Sequence, residues 1–372
     1  MDICVSADWD PAIEACLKKR NLPEALKEIE HSIKGDPENQ NLWIQKGIIL
    51  YMECKFEEAL EIFDSVLEKD PDSSDALNGK GAVLIYQEHN EEAEEVFTQI
   101  LNKNPDFFYA WVNLGMLHKA EERYKKALQC YETAITLKPE SSIGWAGKGD
   151  VLNEMDKYQE AIVACDKALV CDPNDGNALM TKSDTLARLG MYNEASEVAK
   201  KATIVFPDHF LSWQIYGSIL YHQSRYRKAI TALKTSLKRN PENSGCLHVL
   251  GLTLMKSGND ESALKVFNLL IAQDPDDIAA LGNKGTILTK HKRYSEAIKT
   301  LKMALELNPS YLYGLNSIGL AYKGIGKMKS ALLAFNTALE IDPGFEPAVQ
   351  NKALLLQKRS QKSFKHNQKT KK

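Results

Sequence analysis

The sequence predicts an all-α solenoid of about ten helix-turn-helix repeats. Proline recurs every 34 residues from Pro37 to Pro343, and ten of the thirteen prolines lie on this series. An alanine stands twelve residues before each of these prolines, in all ten repeats. A glycine stands twelve residues before that alanine in eight of the ten repeats. Self-similarity at a fixed period of this length indicates a tandem repeat architecture.

Each repeat is numbered so that its proline is position 32, which makes residues 40–73 the second repeat. Positions 4, 8 and 11 then share one face of a first helix, and positions 20, 24, 27 and 28 share one face of a second. Glycine at position 8 and alanine at position 20 leave room for the two backbones to approach. The proline ends the second helix. Each repeat is therefore predicted to form two antiparallel helices, A and B.

The pattern resembles the tetratricopeptide repeat family, which has Trp or Leu at position 4, Gly at 8, Ala at 20, Phe or Tyr at 24 and Pro at 32. The resemblance covers residues 6–345 and implies a right-handed superhelix with helices A along its concave face. Position 11 is mostly Leu, where the family usually has Tyr. Position 7 is often Lys, where the family usually has Leu, and this Lys-Gly pair is similar to the repeats of methanogenic archaea. The lysines are Lys46, Lys80, Lys148, Lys182, Lys284 and Lys352.

The repeat register also predicts the domain organisation. Residues 1–5 are expected to be a leader, 6–39 a degenerate first repeat and 40–345 nine repeats of 34 residues. A capping helix is predicted over 346–358, with Val349, Ala353 and Leu356 facing inward. Residues 359–372 are predicted to be a basic, disordered tail, since residues 358–372 carry six lysines and one arginine and no acidic residue.

Composition argues against several classes of protein. The formal net charge is −3, and seven scattered cysteines without a Cys-x-x-Cys motif indicate reduced thiols in a cytoplasmic protein. The N-terminus has no secretory signal, and no apolar segment approaches membrane-spanning length. No nucleophile motif, phosphate-binding loop or metal-ligand spacing is complete. We therefore expect no enzymatic activity, no cofactor and no metal. His222 and His248 fall on facing surfaces of neighbouring repeats, where they either line the groove as polar residues or bind a metal with the help of further ligands.

The family resemblance implies that positions 2, 5, 9, 12 and 13 of helix A line a concave groove that holds an extended peptide. We expect that groove to have an apolar N-terminal end, an acidic middle and a basic C-terminal end. Its predicted lining residues are Ile44, Ile48, Tyr51, Met52, Ile85, Tyr86, Tyr109, Val112, Met116, Asp150, Asp184, Tyr221, His222, His248, Lys256, Lys290, Tyr313, Asn316 and Lys323.

These residues favour a scaffold or adaptor that binds a protein partner with apolar and acidic segments. One alternative is a substrate-recruiting or regulatory subunit of an enzyme encoded elsewhere. For the apolar stripe, the alternatives are packing against the first repeat or self-association of two copies. The basic tail either contacts nucleic acid or an anionic membrane surface, or only solubilises an acidic body. A single aromatic residue, Phe364, interrupts the basic charge of the tail, which gives little support for nucleic-acid binding.

Overall fold

The computed structural model describes Trp9 and residues 11–18 and 21–369. Over these ranges the chain forms twenty-one α-helices and no strand, which confirms the all-α prediction. The predicted leader, residues 1–5, lies outside the described residues. The helices fall into two compact units, the N-terminal unit up to Val205 and the C-terminal unit from Phe206.

The N-terminal unit contains six antiparallel helix pairs. Its helices are α1 Pro11–Lys18, α2 Leu22–Gly35, α3 Gln40–Met52, α4 Phe56–Lys69, α5 Ser74–Tyr86, α6 Asn90–Lys103, α7 Phe108–Ala120, α8 Tyr124–Leu137, α9 Ser142–Glu154, α10 Tyr158–Cys171, α11 Gly176–Arg188 and α12 Tyr192–Val205. Within this unit, from the second repeat onward, helix A covers positions 1–13 and helix B positions 17–30.

The C-terminal unit continues the same pairing and ends in one long helix. Its helices are α13 Phe210–His222, α14 Tyr226–Leu237, α15 Ser244–Lys256, α16 Asp260–Gln273, α17 Ile278–Lys290, α18 Tyr294–Leu307, α19 Leu312–Gly324, α20 Met328–Ile341 and α21 Glu346–Lys369.

The glycine at position 8 packs directly against the side chain at position 24 of the same repeat. A Cβ atom at Gly81 would lie 2.7 Å from a ring carbon of Phe97, and one at Gly251 would lie 2.7 Å from Phe267. Real Cβ atoms do not approach carbon atoms this closely. Glycine is therefore needed here for close packing of helices A and B, as the sequence predicts.

The tryptophan at position 4 has a specific partner, which is the proline at position 32 of the preceding repeat. In four repeats the indole N–H donates a hydrogen bond to the proline carbonyl six residues earlier, as from Trp43 to Pro37 at 2.9 Å and from Trp111 to Pro105 at 2.7 Å. Proline ends helix B, and the indole satisfies its carbonyl at the entry to the next helix A.

A left-handed residue at position 15 makes the turn between helix A and helix B. The residue has positive φ in nine repeats, for example 60° at Cys54 and 82° at Gly258. Six of the nine residues are not glycine, so the sequence does not reveal this turn. The backbone N–H of the next residue donates a hydrogen bond back to helix A, as from Lys55 to the Leu50 carbonyl at 2.9 Å.

Two expectations for the C-terminal end are wrong. The final helix does not stop at residue 358 but continues to Lys369, because residues 348–369 include no proline or glycine and many good helix formers. The predicted disordered tail therefore begins inside a helix. The inward side chains of α21 include Ala348 and Leu355, whereas Val349, Ala353 and Leu356 are exposed.

Candidate partner-binding surface

Four residues predicted to line the groove are buried instead. Ile44, Ile48, Tyr51 and Val112 keep between 1 and 6% of their surface exposed. A partner cannot contact side chains that the protein itself covers. Their assignment to the groove is therefore wrong.

The cause of this burial is packing between helices A of successive repeats. Ile44, Ile48 and Tyr51 on α3 belong to one apolar cluster with Ala82 and Val83 on α5. Positions 5, 9 and 12 of helix A therefore contribute to the core that joins one repeat to the next, as expected where each repeat buries a face on its neighbour.

Exposed apolar surface remains at the last residue of helix A in the second and third repeats. Met52 is 42% exposed and Tyr86 is 51% exposed. The Tyr86 ring stacks on Phe56 with 3.8 Å between centroids, and the Tyr51 ring packs edge-on against Phe56 at 5.5 Å. We name Met52, Phe56 and Tyr86 the aromatic ledge. Stacking on a half-buried ring holds Tyr86 in place while one face of the ledge remains open to a partner.

The other predicted apolar residues of the N-terminal unit are half-buried, namely Ile85, Tyr109 and Met116. Tyr109 packs edge-on against Phe108 with 5.1 Å between the ring centroids. The Lys138 ammonium lies 4.8 Å from the Tyr109 centroid and 5.0 Å from that of Phe108. This cation–π contact places a positive charge beside the aromatic residues of α7.

The predicted acidic middle of the groove is neutralised by basic partners. Asp150 forms an ion pair with Lys119 of the preceding repeat. Asp184 accepts hydrogen bonds from Arg188 at 2.8 Å and from the Asn153 amide at 3.1 Å. Both predicted carboxylates therefore have a basic partner within the protein, and the acidic middle of the groove stays a prediction. A residue-type pattern cannot show which carboxylates already have a cation.

Lys290 of the predicted basic end also has an internal partner. Its ammonium lies 2.6 Å from the buried carboxylate of Asp260, which His291 contacts at 2.8 Å. Burial alone would raise the pKa of Asp260, but the hydrogen bonds from Lys290 and His291 outweigh it and lower the pKa. Lys290 therefore pairs with a carboxylate at the start of α16, and its place in a basic groove stays a prediction.

The remaining predicted residues of the C-terminal unit differ in exposure. Lys256 is exposed and Lys323 is half-buried, and neither forms an ion pair within the described part of the chain. Tyr313 is 64% exposed and packs edge-on against Phe345 at 5.2 Å. The Asn316 side chain accepts a hydrogen bond from Asn351 on α21 at 2.9 Å.

The two histidines considered as metal ligands have other environments. His248 Nε2 lies 3.1 Å from a carboxylate oxygen of Asp277, the residue that caps α17. His222 is exposed at the end of α13, where its ring packs edge-on against the half-buried Tyr221 at 5.2 Å. The structure therefore gives His248 a carboxylate partner on the neighbouring repeat.

A titratable cluster that the sequence analysis missed lies between the third and fourth repeats. Glu94, His118 and Glu121 are the one such group with metal-ligand spacing in the described residues. Arg123 donates to Glu94 at 2.7 Å and also to Glu121, and its hydrogen bond lowers the pKa of Glu94. Burial lowers the pKa of His118. The guanidinium already contacts both carboxylates and offsets one of their two negative charges, so the group forms an internal ion-pair cluster. The sequence feature that could have revealed this cluster is His118 at position 11, where most repeats have leucine.

Comparisons with known proteins identify the class of protein. Tetratricopeptide repeat models match residues 17–82, 108–141, 220–287, 278–311 and 313–345, together more than half of the chain. The chain belongs to the tetratricopeptide repeat family, as its sequence predicts. A further model, anaphase-promoting complex (cyclosome) subunit 3, matches residues 154–236. No curated protein matches the chain.

A solved structure agrees with this fold. The chain is similar to one in the crystal structure of the APC/C hetero-tetramer Cut9–Hcn1, with a TM-score of 0.61 and 19% identity. That similarity covers 86% of this chain and 64% of the other. A second similarity is to YrrB, described as a TPR protein with an unusual peptide-binding site, at TM-score 0.45 and 19% identity over 51% of this chain and 98% of that chain. Among the described helices, none has the length and apolar character needed to cross a membrane.

Proposed function

We propose that the protein is a protein-interaction scaffold that binds an apolar segment of a partner on the aromatic ledge. The observation that carries this proposal is the exposure of Met52 and Tyr86 at the same position of adjacent repeats, with the Tyr86 ring stacked on Phe56. Aromatic residues and methionine are enriched at protein interfaces, where they supply large contact areas.

The partner we propose is an extended segment with an apolar or aromatic anchor side chain. Such a side chain would lie against the open face of Tyr86 and the thioether of Met52, whose flexible side chain adapts to differently shaped partners. The neutralised pairs formed by Asp150 with Lys119 and Asp184 with Arg188 supply hydrogen-bonding groups farther along the same unit.

The basic residues of the C-terminal unit form a second part of the proposal. Lys256 and Lys323 lack an ion-pair partner in the described residues, and Tyr313 is largely exposed. We propose that they bind an acidic stretch of a partner, in which carboxylates pair with the ammonium groups. The protein is proposed to act in the cytoplasm without catalysis of its own.

A second candidate function is that of a subunit in a larger enzyme assembly. The match of residues 154–236 to a family of anaphase-promoting complex subunits favours this alternative. In that case the protein would co-purify with an enzymatic activity that disappears when it is separated from its partner. A scaffold with a non-enzymatic partner would co-purify without such activity.

The test is affinity capture with the full chain, with a double variant of the aromatic ledge and with a single-substitution control. Met52→Glu with Tyr86→Glu places two charges on the ledge, whereas Val170→Glu changes a side chain that is 83% exposed on helix α10. The proposal predicts that a partner captured by the wild type and by Val170→Glu is lost from the ledge variant. Retention of every partner by the folded ledge variant contradicts the proposal.

A further inference from the structure

The final helix exposes the face that every other helix A covers with its own helix B. Position 8 is buried in all ten preceding repeats. In α21 the residue at that position is Ala353, and it is exposed together with Val349 at 45% and Leu356 at 43%. We name Val349, Ala353 and Leu356 the terminal stripe. Its spacing of four and three residues places all three on one side of α21.

No helix B covers the terminal stripe within the described residues. In nine repeats a left-handed residue at position 15 reverses the chain, but α21 passes through that position, Ser360, as continuous helix. Residues 362–369, which the register would assign to the start of helix B, extend α21 instead. The terminal stripe is therefore a helix-A face without its usual partner helix.

The preceding repeats show what kind of helix fits such a face. Where position 8 is glycine, position 24 of helix B is usually large, and a Cβ at Gly319 would lie 2.5 Å from Phe335. Where position 8 is Ser183, the residue at position 24 is the fully buried Ala199. The two repeats without glycine at position 8 have no aromatic ring at position 24, since Ser183 faces Ala199 and Ile13 faces the buried Ile29. Because α21 has Ala353 at position 8, a helix packed there needs a residue smaller than phenylalanine opposite it.

Charge indicates the polar character of that helix. The sequence of the second half of α21, from Lys358 to Lys369, has four lysines and one arginine and no acidic residue. A second copy of this chain would bring two such segments of the same charge together, which is unfavourable. An acidic helix would be attracted to the segment and at the same time cover the terminal stripe.

We propose that the terminal stripe binds an acidic amphipathic helix of a partner protein in the place of a helix B, with a small side chain opposite Ala353. This surface is separate from the aromatic ledge and does not depend on it. The bound helix would bury Val349 and Leu356, and its acidic residues would lie beside the basic half of α21.

The chain supplies a probe for this site in its own helix α4. A synthetic peptide with the sequence of Phe56–Lys69 carries five acidic residues and one lysine, and its position 24 is Phe63. The test compares this peptide with a second one that contains Phe63→Ala, each titrated by fluorescence anisotropy into the full-length protein. The Phe63→Ala peptide is expected to bind about tenfold more tightly, because the phenyl ring would overlap Ala353.

A reciprocal change in the protein completes the test. In full-length Ala353→Gly, the preference is expected to reverse in favour of the peptide with Phe63, since the pair then matches those of the preceding repeats. Val349→Asp with Leu356→Asp should abolish binding of both peptides, whereas Val170→Asp on α10 should leave it unchanged. Raising the salt concentration from about 50 to 500 mM should weaken binding, because it screens the basic half of α21.

Several outcomes would overturn the proposal. They are absence of binding by the Phe63→Ala peptide at millimolar concentration, equal binding of both peptides, and binding that survives the Val349→Asp, Leu356→Asp substitutions. A further contrary outcome would come from light scattering. If the wild type is a dimer and these substitutions dissociate it, the terminal stripe is occupied by a second copy of the chain. Circular dichroism verifies that each variant keeps its helices.

Discussion

The ammonium of Lys80 at position 7 lies 2.8 Å from the carboxylate of Asp64 at position 25 of the preceding repeat. The same pair recurs between Lys148 and Glu132 at 2.8 Å and between Lys46 and Glu30 at 3.0 Å. Lysine at position 7 thus replaces an apolar contact between repeats with an ion pair. This relationship explains the main departure of the chain from the usual family pattern.

Because both groups of the Lys80–Asp64 pair are partly exposed, its contribution to stability is expected to be small. A double-mutant cycle with Lys80→Met and Asp64→Asn should give a coupling free energy of about 0.2–1 kcal/mol. In 1 M salt the coupling should fall towards zero. Chemical denaturation at two salt concentrations measures it, and a coupling above about 2 kcal/mol at high salt would refute this estimate.

Substitution of the glycine at position 8 is expected to destabilise a repeat. Gly81→Ala would place a Cβ 2.7 Å from the buried Phe97 ring, which should cost about 1–3 kcal/mol. Gly35→Ala at the end of α2 is the matched control, since no atom lies within 4 Å of its Cβ. The measured quantity is the unfolding temperature. Equal temperatures for the two variants would contradict the packing account.

The buried Asp260 is expected to stabilise the fold in a pH-dependent way. Its pKa is lowered in the folded protein, so its stabilisation is complete above the pKa of the unfolded chain, about 3.9, and is lost as the pH falls below that value. Asp260→Asn should lower stability by on the order of 1 kcal/mol near neutral pH, because solvent screens the largely exposed Lys290. The difference in unfolding temperature between wild type and variant should shrink below about pH 4. A difference that grows on acidification would be the contrary result.

We expect the exposed cysteines to react faster with alkylating reagents than the buried ones. Burial raises the pKa of the Cys130 thiol to about 11 and that of Cys165 to about 12. Cys54 and Cys171 are exposed. Since the thiolate is the reactive form, alkylation of the native protein should modify the exposed pair first and leave the buried pair until unfolding. Mass spectrometry of timed samples gives each rate, and early modification of Cys165 would show that its helix opens locally.

The repeat fold was predictable because its determinants are local. One 34-residue period contains all of them, namely the glycine at position 8, the alanine at position 20 and the proline at position 32. Each of these residues acts within one helix pair. The ring at position 24 follows from the same pattern, as the contact between Gly81 and Phe97 shows.

The binding surface was less predictable because its determinants lie between repeats. Ile48 is as apolar as Met52, yet only the packing of α3 against α5 decides that Ile48 is buried and Met52 is exposed. Likewise, the sequence does not show that Asp260 takes up the charge of Lys290. At the C-terminal end, the basic composition suggested a disordered tail, but the absence of proline and glycine lets α21 continue past residue 358.

The most direct test of the proposed scaffold function is photo-crosslinking in cells through the aromatic ledge. A photoreactive phenylalanine analogue replaces Tyr86, and a matched protein carries it at Val170, which is more exposed but lies on helix α10 away from the ledge. Partner binding on the aromatic ledge predicts a crosslinked partner protein from position 86 and none of that mass from position 170. The same crosslink from both positions, or from position 170 alone, would contradict partner binding on the aromatic ledge.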